Sequence, residues 1–222
     1  HAKVVAEHSV SDQLEVRFGS EFYNRNYEAT RYNSITGTNE SLTFHEPISA
    51  TFAEAEYYAN NHFVVKAGGR LEANGLTNYT SLDPRVSLAY KPGKQGQFSF
   101  AYGTFRQSPQ NQYVRIDNQL NPEKAEHFIL NYQIITNRKT FRVETYYKKY
   151  DQLIKFENGN PTLLTNSGSG FAKGVEFFWR DNETIKNADY WISYSYLDTK
   201  RDYLNFPRVS TPSFASAHNF SF

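Results

Sequence analysis

The sequence predicts an all-β fold, an antiparallel transmembrane β-barrel of which about 11 strands are present. Three observations favour it. Alternating segments rich in Phe and Tyr recur, as in QFSFAYGTFRQ at residues 97–107, where Phe98, Phe100 and Tyr102 share one face and smaller residues occupy the other. No apolar run reaches the roughly 18 residues of a membrane helix. Tight turns alternate with long polar loops, which is the pattern of outer-membrane barrels.

The composition fits one domain or one continuous part of a domain, which we assign to residues 1–222. The chain is 39% hydrophobic and 17% aromatic, with 18 Phe and 17 Tyr, so disorder is not expected. The formal net charge is +1. The chain therefore lacks the strong overall positive charge that would predict binding to nucleic acid. The chain contains no Cys, which excludes disulfides and thiolate metal sites.

Eleven candidate strands follow from the period-two pattern and the turn signals. The first two strands, residues 3–9 and 14–32, are joined by a turn around Asp12, and a polar loop at 33–47 follows them. Residues 14–32 exceed the usual 3 to 10 residues of globular strands. The other nine strands are predicted at residues 49–59, 63–73, 84–90, 98–106, 124–135, 140–156, 171–180, 190–200 and 214–222.

Proline, glycine and asparagine mark the connections between these strands. Tight turns are predicted at Asn60, Pro92, Asn137 and Asp181, and we assign them to the periplasmic rim. The alternate connections are longer and are expected to face the outside. These loops cover residues 33–47, 74–83 and 157–170 and the segments around Pro109 and Pro212. No helical period is predicted in the chain.

Charged side chains occupy the face opposite the apolar one. They are Glu15, Arg17, Lys66, Arg70, Arg85, Arg142, Glu144, Glu176 and Arg180. In a barrel they would line the lumen or a rim, because a Lys or Arg facing lipid at the midplane costs roughly 2 to 4 kcal/mol. A soluble sheet with one solvated face would carry the same charges. Aromatic residues near strand ends favour the membrane interpretation, since aromatic side chains form girdles at the two membrane–water interfaces. These residues include Phe141, Trp179, Tyr190, Tyr194 and Tyr196.

The middle of the chain resembles the mid-barrel of TonB-dependent outer-membrane receptors. The resemblance lies in residues 51–109, which read TFAEAEYYANNHFVVKAGGRLE…LDPRVSLAYKP…FSFAYGTFRQSP. Two later stretches look like the same family, LNPEKAEHFILNY at 120–132 and NSGSGFAKGVEFFW at 166–179, the second followed by SYSYLDT. These four motifs stand in the order of the family, and they look most similar to receptors of Bacteroidetes-type bacteria.

The resemblance implies a location in the cell outer membrane and a 22-stranded barrel with an N-terminal plug domain. The implied function is uptake of a bulky nutrient, such as a siderophore, a cofactor, an oligosaccharide or a peptide, without catalysis. The implied partners are outer-membrane lipid, a TonB-type energising protein that acts through a plug domain absent from these residues, and a surface lipoprotein. Because bacterial barrels close with an even number of strands, we expect a truncated barrel, with about four further strands beyond Phe222.

Ligand contacts are expected on the long loops and the upper lumen, where polar and aromatic groups stand over a rigid wall. The candidate ligand-binding residues are Tyr79, Arg106, Tyr113, Arg115, Asn158 and Tyr203. No cofactor, metal site or catalytic residue is predicted. The six His do not pair at metal-ligand spacing, and neither H-E-x-x-H nor G-x-S-x-G occurs.

The residues by themselves are compatible with two other interpretations. One is a self-contained outer-membrane barrel of 10 or 12 strands that acts as a channel or an adhesin. The other is a soluble, secreted β-sandwich that binds carbohydrate through exposed aromatic side chains. The three interpretations differ in the number of sheets and in what surrounds the apolar face.

Overall fold

One antiparallel sheet contains all the strands of the described residues. The computed structural model describes residues 1–33 and 37–222. Each strand pairs with its neighbours in sequence, so the predicted all-β antiparallel fold is confirmed. The second sheet that a β-sandwich requires does not occur among these residues. The strands are β1 (Ala2–Ser11), β2 (Leu14–Asn33), β3 (Thr38–Asn60), β4 (Phe63–Asn74), β5 (Tyr79–Tyr90), β6 (Gly96–Gln107), β7 (Glu123–Ile135), β8 (Lys139–Phe156), β9 (Leu164–Asp181), β10 (Tyr190–Asp202) and β11 (His218–Ser221).

The connections alternate between two rims of the sheet. The turn rim carries the connections at residues 12–13, 61–62, 91–95, 136–138 and 182–189. The loop rim carries the β2–β3 connection and residues 75–78, 108–122, 157–163 and 203–217. The turns predicted at Asn60, Pro92, Asn137 and Asp181 all fall at the turn rim. The two longest connections, 108–122 and 203–217, lie on the loop rim as predicted, but the loop-rim connection at 75–78 is shorter than the turn-rim connections at 91–95 and 182–189.

Three connections of the loop rim are shorter than predicted. β3 begins at Thr38, β5 at Tyr79 and β9 at Leu164, inside segments that were expected to be loops. These strand ends are mostly polar, so the apolar alternation that marks a strand in the sequence fades there. Hydrogen bonding between backbones does not require this alternation, and β2 and β3 stay paired up to the connection between them. Residues 34–36 of the predicted loop at 33–47 lie outside the described residues.

Two short helical segments and a short last strand also differ from the prediction. Helix α1 (Asn111–Val114) and a 3₁₀ turn (Glu157–Gly159) lie on the loop rim, where no helix was predicted. Each is too short to produce a helical period in the sequence. β11 covers His218–Ser221 rather than residues 214–222. Among the described residues, no helix has the length and apolar character to cross a membrane.

One face of the sheet, the outer face, is apolar and is not covered by any other described part of the chain. Cross-strand pairing continues this face from strand to strand, as in Leu71 opposite Leu82 and Phe100 opposite Leu130. Leu82 is 67% exposed and Leu130 is 52% exposed. An apolar surface of this extent is unfavourable in water and favourable against lipid.

Two rows of aromatic rings cross the outer face. Near the turn rim the rings are Phe98, Tyr132, Phe141 and Trp179, with successive centroids 4.5, 6.1 and 6.0 Å apart. Nearer the loop rim they are Tyr102, Phe128, Tyr147 and Phe171, with successive centroids 4.9, 6.4 and 6.5 Å apart. Paired girdles of this kind mark the two interfaces of an outer-membrane barrel. The apolar band between them is the membrane-facing part of the wall.

The opposite face, the inner face, is polar and carries the charged residues. The strand registers put all nine of the charged residues predicted to share a face on this side. Many of the charges are paired: Arg70 contacts Glu21 at 2.7 Å and Glu72 at 2.9 Å. Such pairs suit a wall that faces a water-filled or protein-filled lumen rather than lipid.

The connection at residues 182–189 is closed by two carboxylates at the turn rim. Asp181 accepts hydrogen bonds from the backbone N–H groups of Glu183 at 2.8 Å and of Thr184 at 2.9 Å. Asp189 accepts two from Arg180, at 3.1 and 2.6 Å. The Arg180 guanidinium lowers the pKa of Asp189. The stabilisation from this pair is therefore present at neutral pH and is lost as the pH falls through the lowered pKa.

A charge placed on the outer face should destabilise the protein. We expect Leu130→Arg to lower the free energy of unfolding by about 2 to 4 kcal/mol, because the guanidinium would face hydrocarbon. The measurement is urea unfolding of the whole protein in lipid vesicles. The matched control is Asn131→Arg, which places the same group on the inner face, where Asn131 lies 3.5 Å from Glu144. Equal losses for the two variants would contradict the assignment of the faces.

Candidate functional site

Buried side chains gather at the loop rim, where the longer connections fold against the strand ends. Val114, Leu120, Leu153 and Ile154 are each at most 5% exposed. Much of the remaining sheet is a single layer whose two faces are both accessible. The loop rim is therefore where side chains are held in place by packing, as a recognition site requires.

An interruption in β8 creates this cluster. The pairing of β8 with β9 shifts between Tyr150 and Leu153, and Gln152 takes the left-handed conformation with φ 58°. The released backbone binds a neighbouring loop: the Leu204 N–H donates to the Ile154 carbonyl at 2.7 Å, and the Phe156 N–H donates to the Leu204 carbonyl at 2.9 Å. The loop at 203–217 is thereby attached to the end of β8.

Asn166 joins a second connection to the same place. Its side-chain amide donates to the backbone carbonyls of Asn121 at 3.0 Å and Gln152 at 2.9 Å, and its Oδ1 accepts the Asn121 N–H at 2.8 Å. These three bonds tie the loop at 108–122 to β8 and β9. Connections far apart in the sequence thus form one surface.

An ion pair with a buried carboxylate forms the next part of the loop rim. Asp83 is 4% exposed, and its Oδ1 accepts a hydrogen bond from Arg106 Nε at 2.9 Å. Asp83 Oδ2 accepts the Ser81 hydroxyl at 3.2 Å. The Arg106 guanidinium also reaches Gln152 Oε1 at 3.4 Å and lies 5.4 Å from the centre of the Tyr79 ring. β5 and β6 pair only as far as Arg85 and Gly103, and the Arg106–Asp83 pair joins the two strands beyond that point.

Glu46 extends the polar network toward β2 and β4. Its side chain is fully buried, pairs with the Arg25 guanidinium and accepts a hydrogen bond from the Asn74 amide at 2.7 Å. Asn74 Oδ1 in turn accepts the N–H groups of Leu76 and Thr77. The turn at residues 75–78 is therefore held by a chain of buried polar contacts rather than by apolar packing.

The six candidate ligand-binding residues separate into contacting and isolated side chains. Tyr79 and Arg106 contact each other. Tyr113 packs against Phe156 with ring centroids 6.1 Å apart, and Tyr203 packs against Phe206 at 4.9 Å. Arg115 follows helix α1, and Asn158 lies on the exposed 3₁₀ turn with φ 51°. Neither of these two side chains contacts another candidate among the described residues.

Sequence reasoning missed the residues that organise this rim. Asp83 ends the predicted loop at 74–83, whereas in the structure it lies in β5 and is the buried partner of Arg106. Gln152 lies inside a predicted strand and Asn166 inside the predicted loop at 157–170, and neither position carries a local signal of the contacts that it makes. The available signals were the Asn-Ser-Gly-Ser-Gly run at residues 166–170 and the break in alternation near Gln152.

Comparison with known proteins identifies the class. Residues 4–222 match the family described as TonB dependent receptor-like, beta-barrel, and the chain belongs to that family. The predicted resemblance and the outer-membrane location are thereby confirmed, and the apolar face is the face that contacts lipid. Nothing in the comparisons bears on the expected Bacteroidetes-type origin, which stays a prediction. None of the curated protein sequences matches this chain.

Solved structures of outer-membrane transporters share the fold. The outer membrane transporter YddB from Escherichia coli is 11% identical with a TM-score of 0.71, over 90% of this chain and 33% of that one. The siderophore receptor PirA from Pseudomonas aeruginosa is 10% identical with a TM-score of 0.71, over 90% of this chain and 40% of that one. The FrpB iron transporter from Neisseria meningitidis is 10% identical with a TM-score of 0.70, over 89% of this chain and 34% of that one. The chain therefore spans between a third and two fifths of the length of these relatives.

Removal of Asp83 should loosen the loop rim. We expect Asp83→Ala to lower the local opening free energy by about 3 kcal/mol, because the Arg106 side chain, which is only 16% exposed, would lose its partner. Amide hydrogen exchange of the full-length receptor should then become roughly 100-fold faster at residues 79–83 and 150–156. Asp12→Ala, an exposed change at the turn rim, is the control. Unchanged exchange in the Asp83 variant would contradict a structural role for the pair.

Proposed function

We propose that this chain is part of the barrel wall of a receptor that imports a bulky nutrient across the outer membrane. The observation that carries the proposal is the loop rim: polar and aromatic side chains from three distant connections are fixed together at one end of a lipid-embedded wall. Membership of the TonB-dependent receptor family supports it. The proposed role is binding and translocation rather than catalysis.

The class of nutrient is proposed from the structural relatives and from the size of the loop rim. One structural relative is called an iron transporter, one a siderophore receptor and one a copper transporter. Siderophores, cofactors, oligosaccharides and peptides are all large enough to need several side chains of such a rim at once. We propose that the ligand contacts Tyr79, Arg106, Tyr113, Arg115, Asn158 and Tyr203.

The proposed energy source and partners lie outside these residues. Import of this kind needs a plug domain in the lumen and a TonB-type energising protein that acts on the plug. The charged inner face is suited to contact such a polar domain, because its side chains can exchange ion pairs with it. A surface lipoprotein that delivers the ligand is a further proposed partner.

Uptake by whole cells tests the proposed function. Yeast extract serves as the nutrient source, and mass spectrometry follows the loss of its components from the medium. We expect some components to be depleted by cells that carry the full-length receptor and not by cells that lack either the receptor or the energising protein. Depletion that does not require the energising protein, together with steady ion conductance in planar bilayers, would favour the self-contained channel and overturn the proposal.

Single substitutions test the proposed contacts. Tyr113→Ala and Tyr203→Ala should each lower the affinity for the imported component roughly thirtyfold, because buried contact with a tyrosine ring is a frequent binding hot spot. Lys94→Ala, an exposed change at the turn rim, is the control for expression and folding. Uptake at the wild-type rate in both tyrosine variants would exclude these two rings from the ligand site.

A further inference from the structure

Arg201 lies among three aromatic rings at the loop end of β10. Its guanidinium carbon is 4.5 Å from the centre of the Tyr150 ring, 5.8 Å from that of Tyr203 and 5.5 Å from that of Phe214. Each distance is within the range of a cation–π contact. Phe214 is nevertheless 65% exposed, so one side of this aromatic cage is open.

The Arg201 guanidinium has no anionic partner among the described residues. Its Nε is buried and has no hydrogen-bond acceptor there. The adjacent carboxylate, Asp202, is paired with Lys155 at 2.5 Å instead. By contrast, the Arg106 guanidinium is paired with Asp83. Aromatic rings stabilise the positive charge of Arg201, but within the described part of the chain they give no acceptor to its N–H donors, which lie in the guanidinium plane.

The position of Arg201 is held from both sides. Its backbone N–H donates to the Ser210 carbonyl and its carbonyl accepts the Ser210 N–H, both at 2.9 Å. On β9, Gly170 lies directly between Tyr150 and Arg201 in the register. A Cβ at Gly170 would stand 2.9 Å from Arg201 Cγ. The absence of a side chain at this position lets the arginine extend across β9 to the Tyr150 ring.

We propose that Arg201 binds an anionic group, a carboxylate or a phosphate, of the imported solute; this inference rests on the proposed uptake function. A guanidinium presents paired N–H donors whose spacing matches the two oxygens of a carboxylate or phosphate. The exposed Phe214 ring adds apolar contact area beside the charge. The solute is therefore an acidic compound, and Arg201 is its specificity-determining contact.

The test separates acidic from neutral solutes. Yeast extract is divided by anion exchange into a retained acidic fraction and an unretained fraction, and receptor-dependent depletion is measured in each. We expect depletion from the acidic fraction, reduced at least tenfold by Arg201→Gln, since a charge-assisted hydrogen bond is lost. Arg201→Lys, which keeps the charge and loses the paired donors, should give an intermediate rate. Arg208→Gln, an exposed arginine of the same loop, is the matched control and should leave the rate unchanged.

The outcomes distinguish this inference from the proposed function. Depletion only from the unretained fraction would overturn the anion site and leave the uptake function standing. No receptor-dependent depletion from either fraction would overturn both. Folding of the variants is checked by their amount at the cell surface and by the heat-dependent shift of the folded receptor on electrophoresis. A full wild-type rate of depletion in the Arg201→Lys variant would contradict recognition of the anion through the paired N–H donors of the guanidinium.

Discussion

Pairing of the backbone between neighbouring strands is the constraint on which the structure depends. Lipid offers no partner for an N–H or a carbonyl, so each strand within the bilayer must satisfy these groups on its neighbours. Pairing also determines the faces, because a register shift of one residue would exchange the apolar and polar sides. The ladder from Leu14 to Asn33 and its partners keeps one register throughout. The lipid-facing band and the charged inner face both follow from that regularity.

The loop rim arises where this regularity ends. At Gln152 the β8 ladder shifts. Pairing with β9 resumes and continues to Phe156, while the Ile154 carbonyl and the Phe156 N–H bind Leu204 of another loop. Conformations with positive φ at Gln152 and Leu204 (58° and 49°) are unfavourable for residues with side chains. The surrounding hydrogen bonds maintain them. The candidate site is therefore built from interruptions in the sheet, and the wall supplies the rigid support.

Prediction from the sequence was accurate where a local period exists. Strands within the membrane follow a period of two because lipid selects every second side chain, and their number, order and faces were predicted correctly. The ends of β3, β5 and β9 at the loop rim were predicted as loops, since polar side chains occupy both faces of these segments and leave no alternation in the sequence. The candidates Tyr79 and Arg106 do meet, but the buried partner that holds Arg106, Asp83, was not recognised.

The sequence by itself determined the fold class, the family, the outer-membrane location and the two chemically distinct faces. Tertiary structure alone decided which side chains meet at the loop rim. Arg106 and Gln152 are 46 positions apart, and Arg201 reaches Tyr150 across an intervening strand. Alternation is a property of adjacent residues and is visible in the chain, whereas contacts between distant loops depend on strand register and on where the ladder breaks. For that reason the repeating wall was predictable and the recognition surface above it was not.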